Sequence, residues 1–194
     1  MHTTADVTQP NPWNDLIELA STGRGALLRA RALRRAVELA ALRPLHPRAE
    51  PYARSVLHHG DQGEVMLAAW QRGGLAAPHD HGLARGYVVI LEGRFCETTY
   101  RFDGAELRVS AEREHGTGDL LEAPPGLIHD LFAAEDGLSL HVYVPRIHGM
   151  RVYDPISRST LRVADDCGAW IPRTPEAILE RRPWVGRDAW TASP

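Results

Sequence analysis

Between residues 65 and 144 the chain reads as a succession of short strands, and this constrains the fold more than any other feature. Strand-like segments cover 65–70, 86–91, 94–102, 106–109, 119–122, 129–132 and 138–144. Turn pairs such as Glu92-Gly93, Asp103-Gly104 and Asp136-Gly137 separate them, and such pairs favour tight hairpins. Many short strands at close spacing predict a sandwich or barrel. Upstream the period changes. Leu16, Ile17, Leu19 and Ala20, then Leu27, Leu28, Ala32, Leu33, Val37, Ala40 and Ala41, recur at helical spacing. Thr22-Gly23-Arg24-Gly25 interrupts them, and Pro44 and Pro47 follow. The pattern predicts two helices. After Pro155 the periodicity weakens. Val163, Trp170, Ile171 and Trp184 suggest a segment packed over the barrel. The expectation is an all-β core with N-terminal helices: a loose tail over 1–12, then one domain with helices in 13–50, a barrel in 52–154 and a C-terminal segment in 155–194.

Composition narrows the class of function. The chain has 194 residues, 43% hydrophobic and 24% charged, with a formal net charge of -3. That balance gives no bulk attraction for nucleic acid or a membrane surface. The basic residues between Arg24 and Arg48 read as a helix face. No apolar run approaches the roughly 20 residues needed to span a bilayer. Residues 1–12 lack an apolar signal-peptide core, so a cytoplasmic location is expected. Cys96 and Cys167 are the two cysteines. They make no disulfide framework and no CxxC, and both are expected to be buried or idle thiols.

The chemistry starts at Ala76-Ala77-Pro78-His79-Asp80-His81-Gly82. On a strand, His79 and His81 share a face and Asp80 takes the other. Two adjacent neutral imidazoles suit zinc, copper, iron or nickel. His129 is the candidate third ligand, placed after the tight Pro124-Pro125-Gly126 turn at the start of a strand. A second row lies in Leu138-Ser139-Leu140-His141-Val142-Tyr143-Val144. Its alternation puts Ser139, His141 and Tyr143 on one face and the aliphatics on the other. That polar face could meet water, or it could line a cavity as a relay that sets the histidine tautomer. The pattern leaves both open. Other histidines carry less. His58-His59 reads as a solvated loop, His115 and His148 have no partner at ligand spacing, and His148 follows the strand that carries Tyr143 toward a pocket rim. Trp70 reads as core or barrel wall.

These segments resemble the paired motifs of the cupin superfamily. The first runs from Gly73 through His79-x-His81 to Gly93, the second from Gly118 through Pro124-x-Gly126 to His129. The resemblance implies a double-stranded β-barrel (jelly roll) with a metal in its mouth. Where most metal-binding cupins add a glutamate, this chain has Arg85 and Gly86. The implied ligand set is three neutral histidines. By residue type alone such a set suits zinc with a bound water as well as iron.

More narrowly, the chain resembles cysteine dioxygenase and its thiol dioxygenase relatives over roughly residues 52–154. The resemblance implies Fe(II) on His79, His81 and His129, and a Ser139-His141-Tyr143 triad. Tyr143-Val144-Pro145 matches the family's Tyr-x-Pro, and Tyr52-x-Arg54 matches the segment whose arginine takes the substrate carboxylate. It implies oxidation of L-cysteine, or a small carboxylated thiol, by O2 to the sulfinic acid. Alternatives are 3-mercaptopropionate or mercaptosuccinate as substrate, or a zinc or nickel cupin isomerase or hydrolase. Two departures bear on this. Animal members carry a cysteine that crosslinks to the triad tyrosine; Gly86 stands there, so no crosslink is expected. Mercaptopropionate-type relatives usually have glutamine at the Arg54 position and draw an arginine from near Met150; Arg54 and Met150 favour the cysteine type. Arg85 or Arg151 could serve a second carboxylate. Partners are then a small thiol and O2, with the oligomeric state open.

Overall fold

The computed structural model describes residues 11–45 and 50–185. Three helices come first: α1 (Asn14–Ser21), α2 (Gly25–Arg34) and α3 (Ala36–Ala41). The break after Gly23 falls where the sequence predicts it. A further break at Arg35 divides the second stretch, so the described N-terminal residues form three α-helices where the periodicity predicts two. The proposed tail lies almost wholly outside the described residues.

Twelve strands follow: β1 (Tyr52–Gly60), β2 (Gly63–Trp70), β3 (Leu75–Asp80), β4 (Arg85–Glu92), β5 (Phe95–Phe102), β6 (Leu107–His115), β7 (Leu120–Ala123), β8 (Ile128–Ala133), β9 (Gly137–Val144), β10 (Arg151–Asp154), β11 (Ser159–Val163) and β12 (Ile178–Pro183). They form two sheets, ordered β1-β2-β9-β4-β7 and β12-β11-β10-β3-β8-β5-β6. All their pairings are antiparallel. Chain neighbours often sit in opposite sheets, as β3 and β4 do, which makes the jelly roll. The C-terminal segment adds strands to the second sheet at its β10 edge. His58 and His59 lie on β1 rather than in a loop, and His58 bonds to Asn11.

The centre of the first sheet is buried on both faces. Its outer side chains, including Val65, Leu67, Ala69, Leu138, Leu140 and Val142, pack under Leu16, Ile17, Ala20 and Leu28 of the helices. Its inner side chains, including Ala68, Trp70, Val88 and Ile90, meet Phe95, Leu131, Ala133 and Val152 of the second sheet. Every residue of β2 and β9 is therefore buried. An unbroken apolar face opposite a polar one thus does not mean that the polar face is wet.

β3 carries an irregularity that the metal motif needs. Ala76 pairs with Leu131 and His79 with His129, and the register shifts between them. Ala76 and His79 are three residues apart, so a regular strand would turn them to opposite faces. Pro78 has no N–H for the ladder, and such residues belong at bulges. The shift brings both side chains inward.

A three-histidine centre and its cavity

His79, His81 and His129 come together between the sheets, all buried, with potential ligand atoms within 4.8 Å of one another. His79 and His129 face each other across the β3–β8 ladder. His81 lies just past β3, with Gly82 at φ +63 turning the chain behind it. The two Nε2 atoms of His79 and His81 are 3.1 Å apart.

Two of the rings are aimed by contacts on their far sides. His79 Nδ1 bonds to the Ala77 carbonyl at 2.8 Å. His129 Nδ1 donates to Glu97 Oε1 at 2.8 Å, and His115 Nε2 lies 3.2 Å from the other Glu97 oxygen. A proton on each Nδ1 leaves Nε2 as a lone-pair donor facing the centre. Burial, reinforced by neighbouring His129, pulls His79 down to about 3. Burial and His79 pull His81 well below the usual range. Both are neutral imidazoles near pH 7, the form that binds metals.

His129 Nε2 is a buried side-chain atom with no hydrogen-bond partner. Buried polar atoms are nearly always paired. An orphaned nitrogen converging on two more fits a metal ion held by three histidines. Among the described residues no other group of three ligands of this kind exists.

Asp80 takes the opposite face, as its position on the strand predicts. It is fully buried and accepts from Tyr153 Oη at 2.8 Å, Arg151 Nε at 2.8 Å and the Gly82 N–H at 2.9 Å. This cluster anchors the ligand-bearing strand to β10. It also occupies Arg151 behind the site. Arg85 is exposed, and neither arginine lines the cavity.

Glu97 carries no mark in the sequence, where it looks like any charged residue on a strand. Its burial is opposed by desolvation, yet the hydrogen bonds from His115 and His129 draw its carboxyl down to about 2. Outer partners of metal-bound histidines are worth about 10–100-fold in metal affinity. Glu97→Gln is therefore expected to weaken metal binding by about that factor, because an amide cannot accept from both rings. Competition with a chromophoric chelator measures it, and an unchanged affinity would show that His129 needs no such partner.

The polar row of β9 also faces inward. Ser139, His141 and Tyr143 are all buried. Ser139 Oγ is 2.8 Å from His141 Nε2, and His141 Nδ1 is 3.0 Å from Tyr143 Oη. Trp70 Nε1 donates to Ser139 Oγ at 2.9 Å. An indole only donates, so the chain has a direction. Ser139 accepts from Trp70 and gives its proton to His141 Nε2. His141 then donates from Nδ1 to Tyr143, and the phenolic O–H is free for the cavity. The reverse order would leave the Ser139 hydrogen buried without an acceptor, a costly arrangement. Burial pulls His141 down to about 3 and pushes Tyr143 well above 10, with Tyr52 and Glu64 adding to the latter. The triad is thus uncharged.

Gly86 is opposite Tyr143 across β4–β9. A Cβ there would lie 2.9 Å from Tyr143 Cε1, the ring carbon beside the hydroxyl. That is the place from which a cysteine could reach the ring, and glycine leaves nothing to bond.

Tyr52 and Arg54 share the inner face of β1 and line the same cavity. Tyr52 stacks on Trp70 with ring centroids 4.3 Å apart, and its hydroxyl accepts the Ala169 N–H at 2.9 Å. Burial pushes this phenol up to about 12. Arg54 donates to the Cys167 carbonyl at 2.8 Å. The far wall comes from Asp165, Cys167, Gly168 and Ala169. The sequence offers no motif there, because the wall is held largely through main-chain atoms. Cys167 is a buried wall residue, with its thiol pushed up to about 11 by burial. His148 reaches the rim through Asp165, 2.9 Å away.

Fold and centre together define a cupin whose three buried histidines fit a metal ion. Solved structures of similar fold include KdgF from Halomonas sp., 22% identical over 52% of this chain and 86% of that one, with a TM-score of 0.44. A double-stranded β-helix protein from Klebsiella pneumoniae is 20% identical over 56% and 84%, at 0.46. TT1209 from Thermus thermophilus is 20% identical over 55% and 94%, also at 0.46. Within the superfamily, the model of cysteine dioxygenase type I matches residues 48–156, more than half of the chain. The chain belongs to that family. No helix among the described residues is long and apolar enough to cross a membrane.

Proposed function

We propose that this thiol dioxygenase uses Fe(II) on His79, His81 and His129 to oxidise L-cysteine to its sulfinic acid. The observation that carries the reading is one cavity lined by three buried imidazoles, an uncharged Ser-His-Tyr row and, among the described residues, a single guanidinium. Held by His79, His81 and His129, an Fe(II) ion would supply a soft binding position for the thiolate and the means of activating dioxygen, and the net reaction adds both atoms of O2 to the thiol sulfur. The protein contributes position and hydrogen bonds. Arg54 takes the carboxylate, for which a guanidinium is the matching donor. Holding the substrate at two points fixes the sulfur against the reacting oxygen. Tyr143 turns its O–H to the substrate, oriented by Ser139 and His141. Tyr52 and Trp70 keep that wall rigid and dry.

L-Cysteine is favoured over the other thiols on two counts. Met150, not an arginine, lines the cavity, which supports Arg54 as the carboxylate partner. Arg85 and Arg151 lie elsewhere, so a dicarboxylic thiol finds no second cation there. Anaerobic Fe(II) loading followed by oxygen uptake with L-cysteine, 3-mercaptopropionate, mercaptosuccinate and cysteamine is the test. Stoichiometric sulfinate from L-cysteine is expected. Absence of thiol-dependent uptake by the iron form would end the proposal.

Tyr143→Phe removes the only cavity-facing proton of the row and leaves the metal ligands intact. Oxygen uptake is expected to continue with a smaller share recovered as sulfinate, and iron content is expected to stay the same. Loss of iron would instead make Tyr143 part of the metal site.

A further inference from the structure

On β5, Glu97 stands between two histidines. Its direct partners in the ladder are Leu131 of β8 and Arg113 of β6. Its diagonal neighbours are His129, opposite Thr99, and His115, opposite Phe95. A long side chain can reach such a neighbour, and Glu97 reaches both. Oε1 is 2.8 Å from His129 Nδ1, and Oε2 is 3.2 Å from His115 Nε2. Among the described residues these two rings are the hydrogen-bond partners of its carboxylate. An ionised carboxylate only accepts, so His115 presents Nε2 as an N–H.

The two aimed ligands differ in what aims them. His79 bonds to the main-chain carbonyl of Ala77, which the backbone itself holds in place. His129 bonds to a flexible side chain, which something else must hold. Glu97 is only 5% exposed. Without His115, its Oε2 would be a buried acceptor with no partner, which is costly. The carboxylate would turn toward another donor or take up a proton, and either change disturbs its bond to His129. With both oxygens engaged it cannot turn, and the His129 ring stays aimed. β6 is the edge strand of its sheet and is mostly exposed. His115 ends it, with a side chain 13% exposed, so a change there spares the core.

We infer that His115 is a positioning residue of the metal centre: it fixes Glu97, and Glu97 fixes His129. His115 does not line the cavity and acts through this relay alone. The inference rests on the reading of His79, His81 and His129 as the metal ligands, and it adds the residue that makes the third of them rigid.

The experiment compares wild type, His115→Leu and His115→Gln. Fe(II) and Co(II) affinities are measured anaerobically by competition with a chromophoric chelator. His115→Leu removes the N–H and is expected to weaken both metals by about tenfold, the lower end of the range for an outer partner of a metal-bound histidine. His115→Gln returns an N–H to Glu97 and is expected to recover most of the loss. The visible absorption of the Co(II) form, which reports ligand geometry, should change in His115→Leu and return in His115→Gln. In a Glu97→Gln background His115→Leu should cost little more, because the relay is already cut. Wild-type affinity and spectrum in His115→Leu, equal losses in the two single variants, or additive losses in the double variant would overturn the assignment. If His115→Leu fails to fold, His115→Asn replaces it, since its shorter amide stops short of Glu97. The same fall is expected there, and an unchanged affinity would sink the inference. None of these measurements needs turnover. A wild type that binds metal but shows no thiol-dependent oxygen uptake therefore ends the dioxygenase reading, while the titrations still judge His115.

Discussion

His129→Ala is expected to yield a folded chain that no longer holds Fe(II) and shows no thiol-dependent oxygen uptake. His129 lies opposite His79 in the ladder, and its Nε2 is the one buried side-chain atom without a partner among the described residues. Removing it leaves two imidazoles from a single short segment. Removing an outer partner of a metal-bound histidine costs about 10–100-fold in affinity, so removing the ligand itself should cost more. Two measurements check it. Metal analysis after anaerobic loading should fall from one iron per chain to a trace. Fe(II) should raise the melting temperature of wild type, since a ligand that binds only the folded form stabilises it, and should leave the variant unmoved. Circular dichroism establishes that the barrel persists. A folded variant that keeps iron at the wild-type ratio would place the metal elsewhere.

The second large effect belongs to Arg54. Arg54→Ala is expected to lower kcat/KM for L-cysteine by about a hundredfold, the scale on which a buried, bidentate, charge-assisted ion pair contributes to binding. The fall should appear in KM where carboxylate binding is uniform through the reaction, and in kcat where it positions the sulfur. Arg54→Lys should recover only part, because an ammonium cannot pair bidentately. Cysteamine, which has no carboxylate, should respond far less than L-cysteine to Arg54→Ala. Unchanged kinetics with every carboxylated thiol would take Arg54 out of the substrate site. Because Arg54 also holds the Cys167 carbonyl, thermal melting separates a binding defect from a collapsed wall.

Much of the site is legible in the sequence because strands alternate with period two. That period puts His79 with His81 and Asp80 behind them, and it makes one row of Ser139, His141 and Tyr143. Turn residues place His129 at the start of its strand. The third helix, the strands after Pro155 and the wall at 164–169 are not legible. Their positions depend on pairing with distant strands, and the wall presents main-chain groups that no residue pattern marks. Glu97, His115 and Glu64 escape a sequence reading for a related reason. A charged residue on a strand is usually solvated, and only its neighbours in space show that it is not.

By itself the sequence determined the strand-rich architecture, the face shared by His79 and His81 and the single row of Ser139, His141 and Tyr143, since these follow from local periodicity and turn chemistry. Tertiary structure decided which faces are dry. Helices packed over Leu138, Leu140 and Val142 bury the outer face of β9, and the second sheet closes its inner face. Ser139, His141 and Tyr143 thereby become a cavity wall, because a polar side chain is solvated or functional according to what packs across from it.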